Sequence, residues 1–203
     1  MHADAREALR YLGAGEALLP EAQAMMARVQ AGIRPLFRWK LLAVQDLSLP
    51  GRTAETMLQT CPHVCILVAT LGLSFDAMLR STQARSMADA VIMDACGSAL
   101  IEAVCDEAER EISARFPDLY LTDRFSPGYG DLPLDLQPEL LRLTDAQRTL
   151  GVTVTPSFLL HPSKTVTALI GLSDRPQEAR IRGCVYCRMK HQCPYQGGKR
   201  CAL

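Results

Sequence analysis

A long helix-favouring stretch between two strand-like segments constrains the fold of this chain most. Residues 75–116 are rich in Ala, Met, Leu, Glu and Arg, and their length predicts two helices. The apolar run VCILVAT at residues 64–70 predicts a strand before them, and TVTALIGL at residues 165–172 predicts another after them. Because strands flank the helical block without clear βαβ units, the sequence predicts an α+β domain rather than a doubly wound sheet.

Two helices and a strand are expected before this block. Residues 3–12 and 21–31 carry apolar side chains at helical spacing, and LFRWKLLAV at residues 36–44 alternates as a half-buried strand does. On the second helix of the block, Glu107 and Glu109 are expected to face solvent.

A turn-rich segment follows the helical block. DRFSPGYGDLPLDLQP, at residues 123–138, holds prolines and glycines throughout, so we expect a shaped loop. Thr144 is expected to cap a short helix that ends at Gly151, and PSFLLHP at residues 156–162 resumes the β pattern.

The charge balance excludes recruitment by a global electrostatic field. The 22 basic residues equal the 22 acidic ones, so neither nucleic acid nor an anionic membrane is an expected partner. No apolar stretch approaches transmembrane length, and the charged N-terminus lacks the apolar core of a secretory signal. We therefore expect a cytoplasmic protein with reduced cysteines, in which residues 1–173 form one domain and residues 174–203 an appendage.

The appendage carries a closely spaced set of four cysteines. Cys184, Cys187, Cys193 and Cys201 follow the pattern C-x2-C-x5-C-x7-C among six basic and no acidic residues after position 178. Four thiolates at this spacing predict a metal site, and both zinc and a [4Fe–4S] cluster accept such a set. Cys193 is followed by Pro194, as in ferredoxin-like ligation, which favours the cluster; structural zinc remains the alternative.

A second motif lies in the turn-rich segment, in the sequence RFSPGYG at residues 124–130. Arg124 offers a planar fork for a carboxylate, Pro127 fixes the backbone, and Gly128 permits close approach of a ligand. Unpaired N–H groups around Gly128 and Tyr129 are expected to serve acceptors on adenine or ribose. An ordinary Pro-Gly turn is the alternative interpretation.

The order of these motifs resembles the activation domain of cobalamin-dependent methionine synthase. The resemblance covers residues 64–172: a TLG strand end, a helix containing LIEAVCDE, an Arg-x-x-Pro-Gly-Tyr loop, and a Ser-Phe-x-x-x-Pro segment at residues 157–162. It implies an α+β fold with a twisted, mainly antiparallel sheet. Two departures from the family are the missing N-terminal Asp-containing segment and the absence of a later tyrosine near the ligand.

The resemblance implies a ligand and a set of residues that bind it. In that family the domain binds S-adenosylmethionine, so Arg124 would hold the methionyl carboxylate, and the backbone around Ser126, Gly128 and Tyr129 would meet the adenosyl part. Glu102, in LIEAVCDE, and Asp118, six residues before Arg124, would be acids facing the ammonium and the sulfonium. No residue is expected to act as a nucleophile.

The resemblance also implies a partner. We expect an accessory protein that remethylates the cobalamin of a separate methionine synthase lacking this domain, with an electron donor of flavodoxin or ferredoxin type, so that catalysis exists only in the complex. One alternative is a zinc- or iron–sulfur-binding redox or interaction protein that has kept the fold but lost the ligand. Another is an activator of a different corrinoid methyltransferase.

Overall fold

A four-stranded antiparallel sheet organises the chain. The computed structural model describes residues 3–177. The strands β1 (Leu36–Ala43), β2 (His63–Thr70), β3 (Tyr120–Leu121) and β6 (Thr165–Ser173) lie in the order β1-β2-β6-β3, and all neighbours are antiparallel. A separate hairpin pairs β4 (Thr153–Val154) with β5 (Leu160–His161).

The central strand β2 explains why the sheet is covered on both faces. Its residues after His63 are all buried. Successive side chains of a strand point to opposite faces. Accordingly Cys65 and Leu67 join one apolar core, whereas Val64 and Ile66 join another. A strand that is buried at every position after the first therefore needs helices on each side.

Two groups of helices supply this cover. The first core includes residues of α1 (Ala5–Leu12), α2 (Leu19–Gly32), α4 (Leu73–Gln83) and α5 (Met87–Arg115). The opposite face meets α3 (Arg52–Leu58), α6 (Gln137–Thr144) and α7 (Ala146–Leu150). In residues 3–177, no helix is long and apolar enough to cross a membrane.

Helix α5 is the longest element of the described chain. It has 29 residues, so it extends over roughly 43 Å at 1.5 Å per residue. The Ser86 side chain accepts a hydrogen bond from the Asp89 N–H at the start, and Pro117 follows the last turn. Its buried residues join the core that the sheet shares with α1, α2 and α4, and its remaining side carries polar residues.

Most predicted elements are confirmed, and two predictions are wrong. The N-terminal helices, β1, β2, β6 and the division of residues 75–116 into two helices agree with the structure. Helix α6 occupies part of the expected loop, because Pro138 lies in its first turn, where the missing N–H costs no hydrogen bond. Thr144 ends α6 instead of capping α7, and its hydroxyl donates to the Leu140 carbonyl oxygen.

Candidate functional site: an arginine and three carboxylates beside α5

Three acidic side chains of α5 point to the same side of the helix. Glu102, Asp106 and Glu109 are spaced by four and three residues, which places them on one face. Their side chains are 45%, 58% and 28% exposed. This acidic face borders the core, because Cys105, which lies between Glu102 and Glu109 along the helix, is fully buried.

Arg124 reaches this face from the loop after β3. The next residue, Phe125, is buried and forms a two-way backbone pair with Leu169 of β6, with N···O distances of 3.0 and 2.8 Å. This pairing holds the loop against the edge of the sheet. As a result, the Arg124 side chain extends back to α5 and is only 7% exposed.

The guanidinium of Arg124 contacts all three carboxylates. Nη2 lies 2.8 Å from Glu102 Oε2, and Nη1 lies 2.8 Å from Asp106 Oδ1 and 3.1 Å from Glu109 Oε1. The expectation that Glu109 is merely solvated is therefore wrong. Asp118 is exposed in the turn after α5 and is not among the carboxylates within 4 Å of Arg124.

The cluster is anionic as a unit. Burial by itself lowers the pKa of Arg124, but the charges of Glu109, Asp106 and Glu102 outweigh burial and hold the pKa above its ordinary value. The guanidinium is thus permanently charged. One cation and three carboxylates sum to −2, on a chain whose formal net charge is zero. Such a local excess attracts a ligand that carries positive charge.

The loop around Gly128 is closed by its own hydrogen bonds. The Gly128 N–H donates to the Leu132 carbonyl oxygen at 2.7 Å, and the Tyr129 N–H donates to the Ser126 carbonyl oxygen at 3.2 Å. The expectation that these N–H groups are unpaired is wrong, because both donate to carbonyl oxygens within the loop. Gly128 has a φ of 93°, which glycine adopts without strain, and the Tyr129 side chain is 64% exposed.

Asp131 fastens the far side of this loop to α3. Its carboxylate accepts hydrogen bonds from the N–H groups of Arg52 and Thr53, at 2.7 and 3.1 Å. The hydrogen bonds from Thr53 and Arg52 hold the pKa of Asp131 below its ordinary value. The loop is thereby anchored at both ends, to β6 by Phe125 and to α3 by Asp131.

Two residues near the cluster, Tyr11 and Lys164, were not singled out by the sequence. Tyr11 of α1 is half exposed, and burial, followed by the negative charge of Glu102, raises its pKa. Glu7 and Tyr129 raise the pKa of Tyr11 further, and Arg10 lowers it. Nothing in the sequence around Tyr11 distinguishes it from an ordinary helix residue.

Lys164, which precedes β6, also contacts α5, one helical turn before Glu102. Its Nζ lies 2.9 Å from Ser98 Oγ and 3.0 Å from Asp94 Oδ1, and its side chain is 15% exposed. It crosses α5 next to Gly97, where an added Cβ would lie 3.1 Å from the Lys164 Cε. The four-residue spacing of Asp94, Ser98 and Glu102 was the one sequence signal for this continuous polar face.

The described cysteines are core residues. Cys61, Cys65, Cys96 and Cys105 are buried and free of disulfides. Residues 3–177 contain no group of three side chains suited to holding a metal ion. Cys184, Cys187, Cys193 and Cys201 lie outside the described residues, so the metal site stays a prediction of the sequence.

These thiols are expected to resist alkylation in the folded protein. Burial raises the pKa of Cys65 and Cys105 to about 12 and that of Cys96 to about 11, so hardly any thiolate exists near pH 8. Iodoacetamide should modify them only after denaturation, as mass spectrometry of tryptic peptides will report. Rapid labelling of Cys105 in the native protein would contradict the packing of α5 described above.

Comparison with known proteins identifies the fold. A solved structure with a similar fold is "Crystal Structure of the MetH Reactivation Domain bound to AdoHcy"; it matches with a TM-score of 0.61 and 14% sequence identity, over 83% of this chain and 70% of that chain. No protein-family model and no curated protein sequence matches. The chain has the fold of that domain, which confirms the predicted α+β class with a mainly antiparallel sheet.

Proposed function

We propose that this chain binds S-adenosylmethionine beside the Arg124 loop and helps to remethylate the cobalamin of a separate methionine synthase. The fold is that of a domain solved with AdoHcy, the product that remains when S-adenosylmethionine gives up its methyl group. The observation that carries the proposal is the ion pair between Arg124 and the half-exposed Glu102, at the edge of an anionic surface.

The pair provides a receptor for an amino acid group. A ligand with one carboxylate and one ammonium inserts between Arg124 Nη2 and Glu102, so that two charge-assisted contacts replace one. Asp106 and Glu109 keep Arg124 Nη1 in place during the exchange. The sulfonium adds a second positive charge to the ligand, which the net charge of −2 in the cluster favours.

The remaining predicted ligand residues take lesser parts. Because the N–H groups of Gly128 and Tyr129 are already used, this loop offers the carbonyl oxygen of Gly128, the hydroxyl of Ser126 and the exposed ring of Tyr129 to the ligand. Asp118, exposed after α5, provides long-range attraction for the cationic ligand.

The chemistry belongs to the complex with a partner. One electron from a flavodoxin- or ferredoxin-type donor, together with the methyl cation of S-adenosylmethionine, converts the partner's cob(II)alamin to methylcobalamin and leaves S-adenosylhomocysteine. This chain positions the sulfonium and excludes water from it, and it supplies no nucleophile. The partner is a cytoplasmic methionine synthase without its own activation domain.

The C-terminal cysteines are proposed to hold a [4Fe–4S] cluster, with zinc as the alternative. The spacing of Cys184, Cys187, Cys193 and Cys201 supports four-thiolate ligation, and the nearby basic residues offset a site charge near −2. Anaerobic purification should yield about four iron and four sulfide per chain, with visible absorption. Stoichiometric zinc without colour would establish the alternative.

Glu102→Gln tests the ligand site with little change of shape. Titration calorimetry should show S-adenosylmethionine binding to the unaltered chain, and a loss of about tenfold in the variant, because one charge-assisted hydrogen bond contributes on the order of 1.4 kcal/mol or more. Glu139→Gln, an exposed surface acid paired with Arg142, is the matched control and should bind normally. Equal binding by Glu102→Gln would refute the assignment.

The loop at residues 126–132, which is closed by its own hydrogen bonds, favours one alternative. In a protein that has kept the fold but no longer binds the ligand, the ion pairs of Arg124 would serve only to stabilise the fold. The hydrogen bonds that close the loop would do the same. Such a protein would act through its metal tail as a redox or interaction partner. Absence of binding heat with S-adenosylmethionine would establish this alternative. Capture of a different corrinoid methyltransferase would instead redirect the proposal to that enzyme.

A further inference from the structure

Opposite charges are separated along this chain. Residues 1–101 hold nine acidic and nine basic residues, whereas residues 102–124 hold seven acidic and three basic ones, a net charge of −4. Residues 178–203 hold six basic residues and one acidic residue, a net charge of +5. The balanced composition of the whole chain therefore combines a negative segment of the domain with a positive segment that follows it.

The negative segment includes the second half of helix α5, where acids border an exposed face in two rows. One row is the three carboxylates that contact Arg124. The other is Glu107 and Glu111, which are four residues apart and lie further round the helix. Between the rows the helix is exposed at Arg110 and Ala114. We call this strip, with its two rows of acids, the outer face of α5.

The described chain ends close to the C-terminal end of α5. Ser173 of β6 pairs with Tyr120, which follows Arg115, the last residue of α5, by five positions. The Ser173 hydroxyl donates to the Thr60 carbonyl oxygen at 2.9 Å, and the Thr60 hydroxyl donates to Gln177 Oε1 at 3.4 Å. The positive segment therefore starts at the end of the sheet where the outer face of α5 also ends.

Length and charge both allow the positive segment to cover this face. The sequence continues for 26 residues after Gln177, which span up to roughly 85 Å when extended, whereas α5 from residue 102 to 115 measures roughly 20 Å. The opposite face of the sheet is less suitable. Trp39 of β1 points towards α5, where its Nε1 donates to Glu111, so the exposed neighbours Arg38 and Lys40 point the other way and repel a basic segment.

We propose that residues 178–203 dock on the outer face of α5 of the same chain, with their basic side chains between the two rows of carboxylates. Five carboxylates border the face and six basic residues are available to meet them, so the charges are complementary. The docking holds the four-cysteine segment against the domain, beside the Arg124 cluster. It goes beyond the proposed function and does not require that S-adenosylmethionine binds.

Carbodiimide cross-linking of the full chain tests the docking. The reagent joins a carboxylate to a lysine amine that touches it, and Lys190 and Lys199 are the lysines of the positive segment. We expect mass spectrometry of the monomeric product to find links from these lysines to acids among residues 102–123. Links to Glu139 on α6 instead, or no link to residues 102–123, would overturn the proposal. Links confined to dimers would overturn it too, since the segment would then dock on a second copy.

Salt and substitution distinguish docking from chance encounters. At about 1 M salt, where the Debye length is about 3 Å, the yield of these links should fall at least fivefold. Glu107→Gln with Glu111→Gln should lower the yield of the remaining links about threefold, because one row of charge is removed while glutamine can still accept from Trp39. Glu139→Gln with Asp145→Asn on the other side of the sheet is the matched control and should leave the yield unchanged.

A yield that resists both salt and the substitutions in α5 would overturn the proposal. Circular dichroism of each variant shows whether the fold is retained. Calorimetry with S-adenosylmethionine reports on the ligand site separately, so failure of the docking and failure of the proposed function give different results.

Discussion

Arg124→Met is expected to lose both stability and ligand affinity. Without the guanidinium, Glu102, Asp106 and Glu109 lose the positive charge that they share. Removing one partner of a buried pair costs about 3–5 kcal/mol, but these carboxylates reach water, so we expect about 2 kcal/mol here. Urea denaturation measures this loss, and calorimetry with S-adenosylmethionine should show a fall in affinity of more than tenfold.

Salt separates the electrostatic part of this effect from lost packing. Repulsion among partly exposed carboxylates is screened at about 1 M salt, so the difference from the unaltered chain should shrink there. Arg148→Met removes an arginine that is also paired, with Asp145, yet is 76% exposed, and it should change stability by less than about 0.5 kcal/mol. A salt-independent loss in Arg124→Met would mean that the side chain acts as packing rather than as the counter-charge of α5.

Gly97→Ala is expected to destabilise the fold although alanine is the better helix former. An added Cβ would lie 2.3 Å from Cζ and 2.6 Å from Cε2 of Phe75, whose ring is fully buried. Overpacking of a core costs about 1–3 kcal/mol and is offset by roughly 1 kcal/mol of helix propensity, so a net loss of about 1 kcal/mol, and at most about 2 kcal/mol, should appear in urea denaturation.

Gly97→Ala should also weaken the contacts that Lys164 makes beside the candidate site. The added methyl group approaches the Lys164 stem at 3.1 Å, so the contacts of Lys164 to Asp94 and Ser98 should loosen. Gly15→Ala, with a φ of −82° and nothing within 4 Å of its Cβ, is the control and should be nearly neutral. Combining Gly97→Ala with Phe75→Leu should recover part of the loss, since the smaller side chain makes room. If the losses of stability in the two single variants simply add in the double variant, the added methyl group does not press on the Phe75 ring.

The candidate site was only partly accessible to sequence reasoning. The loop motif and the acid of LIEAVCDE single out Arg124 and Glu102, and the structure brings these two side chains to 2.8 Å. Asp106 and Glu109 were available in principle, because their spacing from Glu102 places them on one face. Tyr11 and Lys164 were not, since they come from segments 91 residues before and 62 residues after Glu102 along the chain.

The sequence by itself determined the periodic elements: the apolar strand β2, the paired helices of residues 75–116 and the strand β6, because burial on a strand or helix leaves a repeat in the residues. It did not predict α6, because Pro138 favours a loop, although proline is tolerated in the first turn of a helix. Only the tertiary structure decided how the charges pair. Arg124 meets three carboxylates and Asp131 meets α3 because antiparallel pairing at Leu169 brings a distant loop onto the side of α5, and long-range contacts of this kind leave no local pattern in a chain.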